Sequence, residues 1–261
     1  MRASWKGTIS FGLVTIPIKV YSAQKDKSVS FTLLHKDCLT PIKYKKWCPK
    51  CNRELTSDEI VRGYEITKGQ YVVLTDEDLE KIPLKTIKSV QILGFVNAEE
   101  VNNPLLFRKV YYIVPDKGGE KAYVLLREAM KRENKVAVAK VAIRGKEYLA
   151  LVYPLNHILA LILLYYADEI IPESELPAFA EPEISEQELE LARELIRMLE
   201  KKFVHEEYKD EYREALEALV RQKLEGKEIV IPETKPEEVK ELVEALRATV
   251  AEIRKKKKQG E

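Results

Sequence analysis

KVYYIVPDKGGEKAYVLLREAMKR, Lys109–Arg132, contains a strand, a turn and a helix in that order. Val110–Val114 is a β-branched and aromatic run of the kind that fits a pleated, half-buried surface. Pro115 and Asp116 stop it, and Gly118-Gly119 permits a tight reversal. Ala122, Leu125, Leu126, Ala129 and Met130 then recur at helical spacing and make one apolar face. Lys117, Lys121, Arg127, Lys131 and Arg132 occupy the opposite edge. A strand, a glycine turn and a helix N-terminus with two lysines can hold a phosphate. The same pattern also fits an ordinary strand-turn-helix with a solvated basic edge. It is not a Walker loop, since G-x-x-x-x-G-K-[ST] is absent.

Working outward, short strands dominate the first two thirds of the chain. Trp5–Tyr21 reads as two strands, 7–11 and 13–21, broken at Gly12, with Lys6, Thr8, Ser10 and Lys19 alternating with apolar residues. Further strands are expected over 29–35, 60–63, 64–67, 70–74, 90–96, 106–114, 136–143, 149–153 and 158–165. Arg144-Gly145-Lys146 supplies a hairpin turn between two of them. Thr75-Asp76-Glu77-Asp78 has the layout of a capping box opening a short helix that Pro83 ends. Many short strands with few helices argue for a closed or nearly closed barrel. The fold class expected is mixed α+β, mainly β.

Three prolines, at 172, 177 and 182, mark residues 172–184 as a linker after a core of residues 1–171. Beyond them the period becomes helical. Ser185-x-x-Glu188 caps a helix whose stripe includes Leu189, Leu195, Ile196, Leu199 and Phe203. Tyr208, Tyr212, Leu216, Leu219 and Leu224 mark a second helix, ended by Gly226. A third is expected to start at Thr234-x-x-Glu237 and to carry Val239, Leu242, Val243, Leu246, Val250 and Ile253. Residues 185–230 are read as an arm and 231–261 as a terminal helix with a basic tip.

The net charge of +1 conceals a partition. Residues 1–150 hold 27 Lys and Arg against 17 Asp and Glu, residues 151–200 hold 2 against 11, and residues 201–261 hold 15 against 15. A basic N-terminal half fits a polyanion met by one surface, and it equally fits uneven solvation of a mixed surface. No apolar run approaches 18 residues, and Gly7, Pro17 and Lys19 interrupt any signal-peptide layout. A cytoplasmic, nucleoid-associated protein without a membrane partner is expected. Three histidines, no G-x-S-x-G and no phosphate loop make an enzyme a poor reading.

His35-x2-Cys38-x9-Cys48-x2-Cys51 is the sharpest constellation of side-chain chemistry. A Cys-Pro-Lys-Cys turn aims two thiolates at one point, as tetrahedral zinc requires, and His35 with Cys38 can supply the other half. Closed by four protein ligands, such a zinc would be structural, within a small insertion at residues 35–53. Free thiols, or a redox CxxC, are the other readings of the same cysteines.

PDKGGEKAYVLLREAM (Pro115–Met130) and MRASWKGTISFGLVTIPIKVYSA (Met1–Ala23) together resemble the prokaryotic Ku family, the DNA end-binding proteins of non-homologous end joining. VLTDEDLEKIPLK (Val73–Lys85) and YADEI (Tyr166–Ile170) fit the same pattern, so the likeness runs from Met1 to about Lys255. The resemblance implies a Ku-type β-barrel core, to which the residues add the small cysteine-rich insertion and the C-terminal α-helical arms; it does not by itself license zinc. It implies a homodimeric ring that threads ends of double-stranded DNA without reading sequence. It also implies recruitment of the ATP-dependent DNA ligase of end joining through the terminal helix. Candidate phosphate contacts are Arg2, Lys6, Lys43, Lys45, Lys46, Lys117 and Lys121. Candidate dimer contacts are Leu195, Leu199, Tyr212, Leu216 and Leu219, and candidate ligase contacts are Leu242, Val243, Leu246 and Val250. The other reading is a zinc-ribbon nucleic-acid adaptor that recognises sequence.

Overall fold

The computed structural model describes residues 1–82, 86, 88–226 and 242–259. The chain forms two compact units, Met1–Glu175 and Leu176–Glu261.

The first unit opens with the hairpin of β1 (Trp5–Phe11) and β2 (Val14–Ser22). A long excursion follows. It carries the two-residue strands β3 (Trp47–Cys48) and β4 (Arg53–Glu54), the hairpin of β5 (Arg62–Thr67) and β6 (Gln70–Leu74), and the short helix α1 (Asp76–Glu80). The chain then returns as β7 (Ser89–Asn97), β8 (Phe107–Pro115), helix α2 (Glu120–Arg132), β9 (Lys135–Ile143), β10 (Lys146–Leu155) and β11 (Ile158–Leu164). Seven strands close into a barrel in the order β1-β2-β8-β11-β10-β9-β7. Every pairing is antiparallel except the β1–β7 seam, where Thr8, Ile9 and Ser10 lie opposite Ser89, Val90 and Gln91. The Ser10 and Ser89 hydroxyls stand 2.8 Å apart on that seam.

Alternation gives each strand two faces. Ile16, Ile18 and Val20 of β2, Ala137, Ala139 and Val141 of β9, Ala150 and Val152 of β10, and Leu159 and Leu161 of β11 share one buried core with Tyr123, Leu126 and Met130 of α2. The other faces of β9, β10 and β11 contribute Val136, Leu151 and Leu164 to a second, smaller core. Tyr123 also carries a polar task. Its hydroxyl donates to the Ile113 carbonyl and accepts from the Leu159 amide, both at 2.6 Å. Ile113 and Leu159 are register partners on β8 and β11, so the phenol joins the two strands at that rung. Buried backbone polar groups need such partners.

The expected barrel strands all form, with ends shifted by one to three residues. The strand expected over 29–35 does not form. Leu34 makes a lone bridge to Pro41 and Phe31 is 68% exposed. Alternation without a neighbouring sheet gives no ladder, and the backbone bonds here are those of a tight turn over 33–42, so the pattern alone is insufficient. The 60–63 segment likewise joins β5 only from Arg62 onward. On α2, Leu125 is exposed, and Tyr123 takes the inward position that the aliphatic stripe had left unassigned. The capping box at Thr75 forms as expected, with the Asp78 amide donating to Thr75 Oγ1 at 3.2 Å. Pro83 lies outside the described residues.

The second unit contains α3 (Glu186–Leu199), α4 (Glu211–Leu224) and α5 (Leu242–Gln259). Ser185 caps α3 reciprocally with Glu188, as its spacing requires. No residue of α3 or α4 is buried. α3 packs against α5, where Val250 is 5% exposed. The start expected at Thr234 lies outside the described residues. Among the described residues no helix is long and apolar enough to cross a membrane.

Candidate nucleic-acid interface

The strand-turn-helix of the opening motif is held against the N-terminal hairpin. Gly118 has φ +85°, a conformation a side chain would strain. At Gly119, an added Cβ would stand 2.8 Å from the Pro17 carbonyl oxygen, so the turn can lie this close to β2 only as glycine. The Asp116 amide donates to that same carbonyl at 2.8 Å. The Asp116 carboxylate then receives Lys19 Nζ at 2.6 Å and the Lys117 amide at 2.9 Å. Lys6 lies opposite Lys19 in the β1–β2 register. The Lys19 ammonium, then the Lys117 amide, and to a smaller degree the Lys6 charge, hold the Asp116 carboxyl below its ordinary range.

The Lys6 and Lys19 side chains and the Lys117 amide are therefore gathered around one carboxylate. Lys121 is the second residue of α2 and is exposed, as are Lys6 and Lys117. Lys19 was not among the sequence candidates. The hairpin turn at Gly12 could have found it, because pairing Phe11 with Val14 puts Lys19 beside Lys6. Arg2 is exposed just before β1.

Other basic residues of α2 have internal partners. Arg127 Nη1 donates to the His157 carbonyl and Lys131 Nζ to the Asn156 carbonyl. Both clamp the turn between β10 and β11, and His157 is exposed in that turn. On the basic edge of the helix these two cations therefore serve the fold.

Lys43, Lys45 and Lys46 lie exposed on the excursion. Lys45 pairs with Glu54 at 2.6 Å and Lys46 donates to Ser57 Oγ at 3.3 Å. His35 and Cys38 are brought together, as are Cys48 and Cys51. Among the described residues no group of three or more His, Cys, Asp and Glu converges on one metal-sized position.

A second basic cluster was missed. Arg108, Lys109 and Arg144 line an open cleft of about 330 Å³ with Tyr111 and Tyr148. Arg108 lies over the Tyr165 ring at 4.8 Å and reaches Glu169 at 3.2 Å, and Lys146 reaches the same carboxylate at 2.9 Å. Lys146, then the Tyr166 amide, pull the Glu169 carboxyl down to about 2. Single lysines and arginines scattered over β8 and the 144–146 turn give no local spacing signal. Only the barrel pairing brings them together.

In the second unit, Leu195, Leu216 and Leu219 are half-buried, and Leu199 and Tyr212 are exposed. Val243 and Leu246 are half-buried and Val250 is buried within α5's packing. The Leu242 side chain lies outside the described residues.

The family model described as the Ku70/Ku80 beta-barrel domain matches residues 10–191, which span all seven barrel strands from late β1 onward and run into α3. "Non-homologous end joining protein Ku" of Archaeoglobus fulgidus is 49% identical over 97% of this chain and 100% of its own length. The protein of the same name from Symbiobacterium thermophilum is 46% identical over 96% of this chain and 63% of its own. That from Bacillus subtilis is 42% identical over 98% and 83%. Among solved structures, the SPOC domain of human PHD-finger protein 3 covers 62% of this chain at 13% identity and a TM-score of 0.28, a likeness too slight to bear on the fold. With the barrel closed as the sequence pattern requires, and with relatives this close over nearly the whole chain, the protein belongs to the Ku family.

Proposed function

We propose that this chain binds ends of double-stranded DNA as a homodimeric ring, without reading sequence, in non-homologous end joining. The observation that carries the reading is family membership over nearly the whole length, with relatives named for that process. The physical features support it. A cationic group of Lys6, Lys19, Lys117 and Lys121 offers contacts of the kind phosphates accept, and phosphate contacts carry no sequence information. No described helix presents Arg, Asn and Gln together as a base-reading face would.

Dimerisation follows from unspent apolar surface. The β5–β6 hairpin has no buried residue, and Tyr64, Ile66 and Tyr71 are all more than half exposed. The arm helices α3 and α4 also bury nothing fully. Exposed large apolar side chains gathered on one element, in each unit separately, are candidates for an interaction site. Two copies related by a two-fold axis would cover it with identical patches and line one opening with the same cations twice. Leu195, Leu199, Tyr212, Leu216 and Leu219 are the arm residues assigned to that contact. Recruitment of an ATP-dependent DNA ligase is assigned to α5, where Val243 and Leu246 stay half-buried on the helix face whose Val250 is already covered.

The test is competition between linear and relaxed circular duplex of one sequence. A ring loads over an end, so the circle should compete poorly. Equal competition by the two forms would falsify threading.

A further inference from the structure

The excursion between β2 and β7 has no core of its own: of the described residues 24–82, none whose side chain is described is buried. Two tight turns inside it are nevertheless built alike. In the first, the Ile42 amide donates to the Leu33 carbonyl at 3.0 Å, Leu34 bridges Pro41, the Leu39 amide donates to the His35 carbonyl at 2.8 Å, and Leu39 has φ +53°. In the second, the Leu55 amide donates to the Lys46 carbonyl at 2.7 Å, Trp47 pairs with Glu54, the Asn52 amide donates to the Cys48 carbonyl at 2.9 Å, and Asn52 has φ +53°. Each feature of the first recurs 13 residues later in the second. The recurrence carries His35 onto Cys48 and Cys38 onto Cys51.

Each turn thus presents two metal-ligating side chains from the same two positions. His35 Nδ1 and Cys38 Sγ are 3.0 Å apart, and the Cys51 amide donates to Cys48 Sγ at 3.5 Å. Leu39 is the more telling residue. A branched side chain in the left-handed region costs about 1–2 kcal/mol, and such conformations persist where the surroundings reward them. Nothing buried rewards this one. A ligand held by the turn would.

We propose that His35, Cys38, Cys48 and Cys51 are the four ligands of one structural zinc ion, and that binding draws the two turns together as the halves of a ribbon. Three thiolates and one imidazole in two x2-spaced pairs match tetrahedral zinc, and no position is left for water. The ion would cross-link a segment that has no apolar core to hold it. The inference stands on the excursion alone and does not depend on the reading of DNA binding.

The test uses the full-length chain, purified under thiol reductant, with metals measured by elemental analysis. About one zinc per chain is expected. Cys38→Ser, Cys48→Ser and His35→Ala should each reduce it to below about a tenth, while His35→Cys should retain it. Replacing zinc with Co²⁺ should give thiolate charge-transfer bands and the intense visible bands of a tetrahedral ion. Far-UV circular dichroism guards against loss of the barrel, and the cobalt spectrum of the unaltered chain tests the site without any variant. A chain that carries no zinc and gives only the weak bands of octahedral Co²⁺ overturns the proposal. So does zinc that survives both His35→Ala and Cys38→Ser unchanged, since that ion would rest on Cys48 and Cys51 alone.

Discussion

Lys19 Nζ lies 2.6 Å from Asp116 Oδ1, and this pair ties β2 to the turn before α2 at the centre of the cationic group. The carboxylate does two things there. It offsets the repulsion of Lys6 and Lys19 across the hairpin, which like charges directly opposite would otherwise suffer. It also lowers the potential available to a phosphate.

Asp116→Asn should therefore act in opposite directions on stability and binding. Thermal melts should show a midpoint lower by about 2 °C, a partly exposed ion pair being worth little. Binding to every duplex sequence should tighten, because one anion has left the site. The Asp116 carboxyl is held below its ordinary range by Lys19. Its stabilisation is then present above the unfolded carboxylate range and is lost as pH falls through the folded value. Weaker DNA binding by Asp116→Asn would count against this surface.

Glu169 gives a sharper pH test. Lys146 first, then the Tyr166 amide, set its carboxyl at about 2 against an ordinary 4.5. The unfolded chain takes up a proton near the higher value while the folded one does not, so the contribution fades between the two. The gap in melting temperature between the natural chain and Glu169→Gln should be widest above about pH 5 and should close toward about pH 2. A gap independent of pH would show that the carboxylate contributes nothing through its charge.

Tyr123→Phe should be a pure stability variant. It removes the hydroxyl that stands between the Leu159 amide and the Ile113 carbonyl while leaving the buried ring. An unpaired buried amide costs about 1–3 kcal/mol, and for a chain of this size that lowers the melting midpoint by roughly 2–12 °C. Salt dependence of DNA binding should not move.

Lys117→Glu with Lys121→Glu should weaken binding to all sequences alike. The slope of log K against log salt should flatten by about 0.9 for each phosphate that is no longer neutralised. Arg127→Ala serves as the control. It removes the bond to the His157 carbonyl, so it should lower stability and leave that slope unchanged. The reverse pattern, with Arg127 setting the slope, would move the interface to the other side of α2.

The barrel was legible because its strands alternate and its turns carry glycine: β9 and β10 meet at Arg144-Gly145, and Gly12 opens the first hairpin. The capping boxes at Thr75 and Ser185 were legible for the same local reason. Residues 29–35 misled, since their alternation has no sheet to join. Pairings distant in sequence were the hidden part. Nothing near Tyr123 announces that its hydroxyl will serve β8 and β11, and nothing in the row Arg108, Lys109 announces Arg144 as a neighbour. Lys19 stands between these cases, recoverable once the hairpin register is drawn. Within the insertion, the spacing of the two His/Cys pairs was readable, but the matching backbone of the two turns was not.

The parallel seam has a consequence for the order of assembly. Five barrel strands, β7, β8, β9, β10 and β11, come from one continuous stretch, Ser89–Leu164, and already neighbour one another as β8-β11-β10-β9-β7. The β1–β2 hairpin is made first on the ribosome, yet both its edges wait for partners beyond the excursion, β7 on one side and β8 on the other. Contacts so distant in sequence are slow to form. The hairpin is therefore the stave that goes in last, and until it does the nascent sheet has two open edges, each a template for another chain. Damage to Ser10, Ser89 or Pro17 should accordingly show first as aggregation during synthesis rather than as a lower melting temperature of protein already folded.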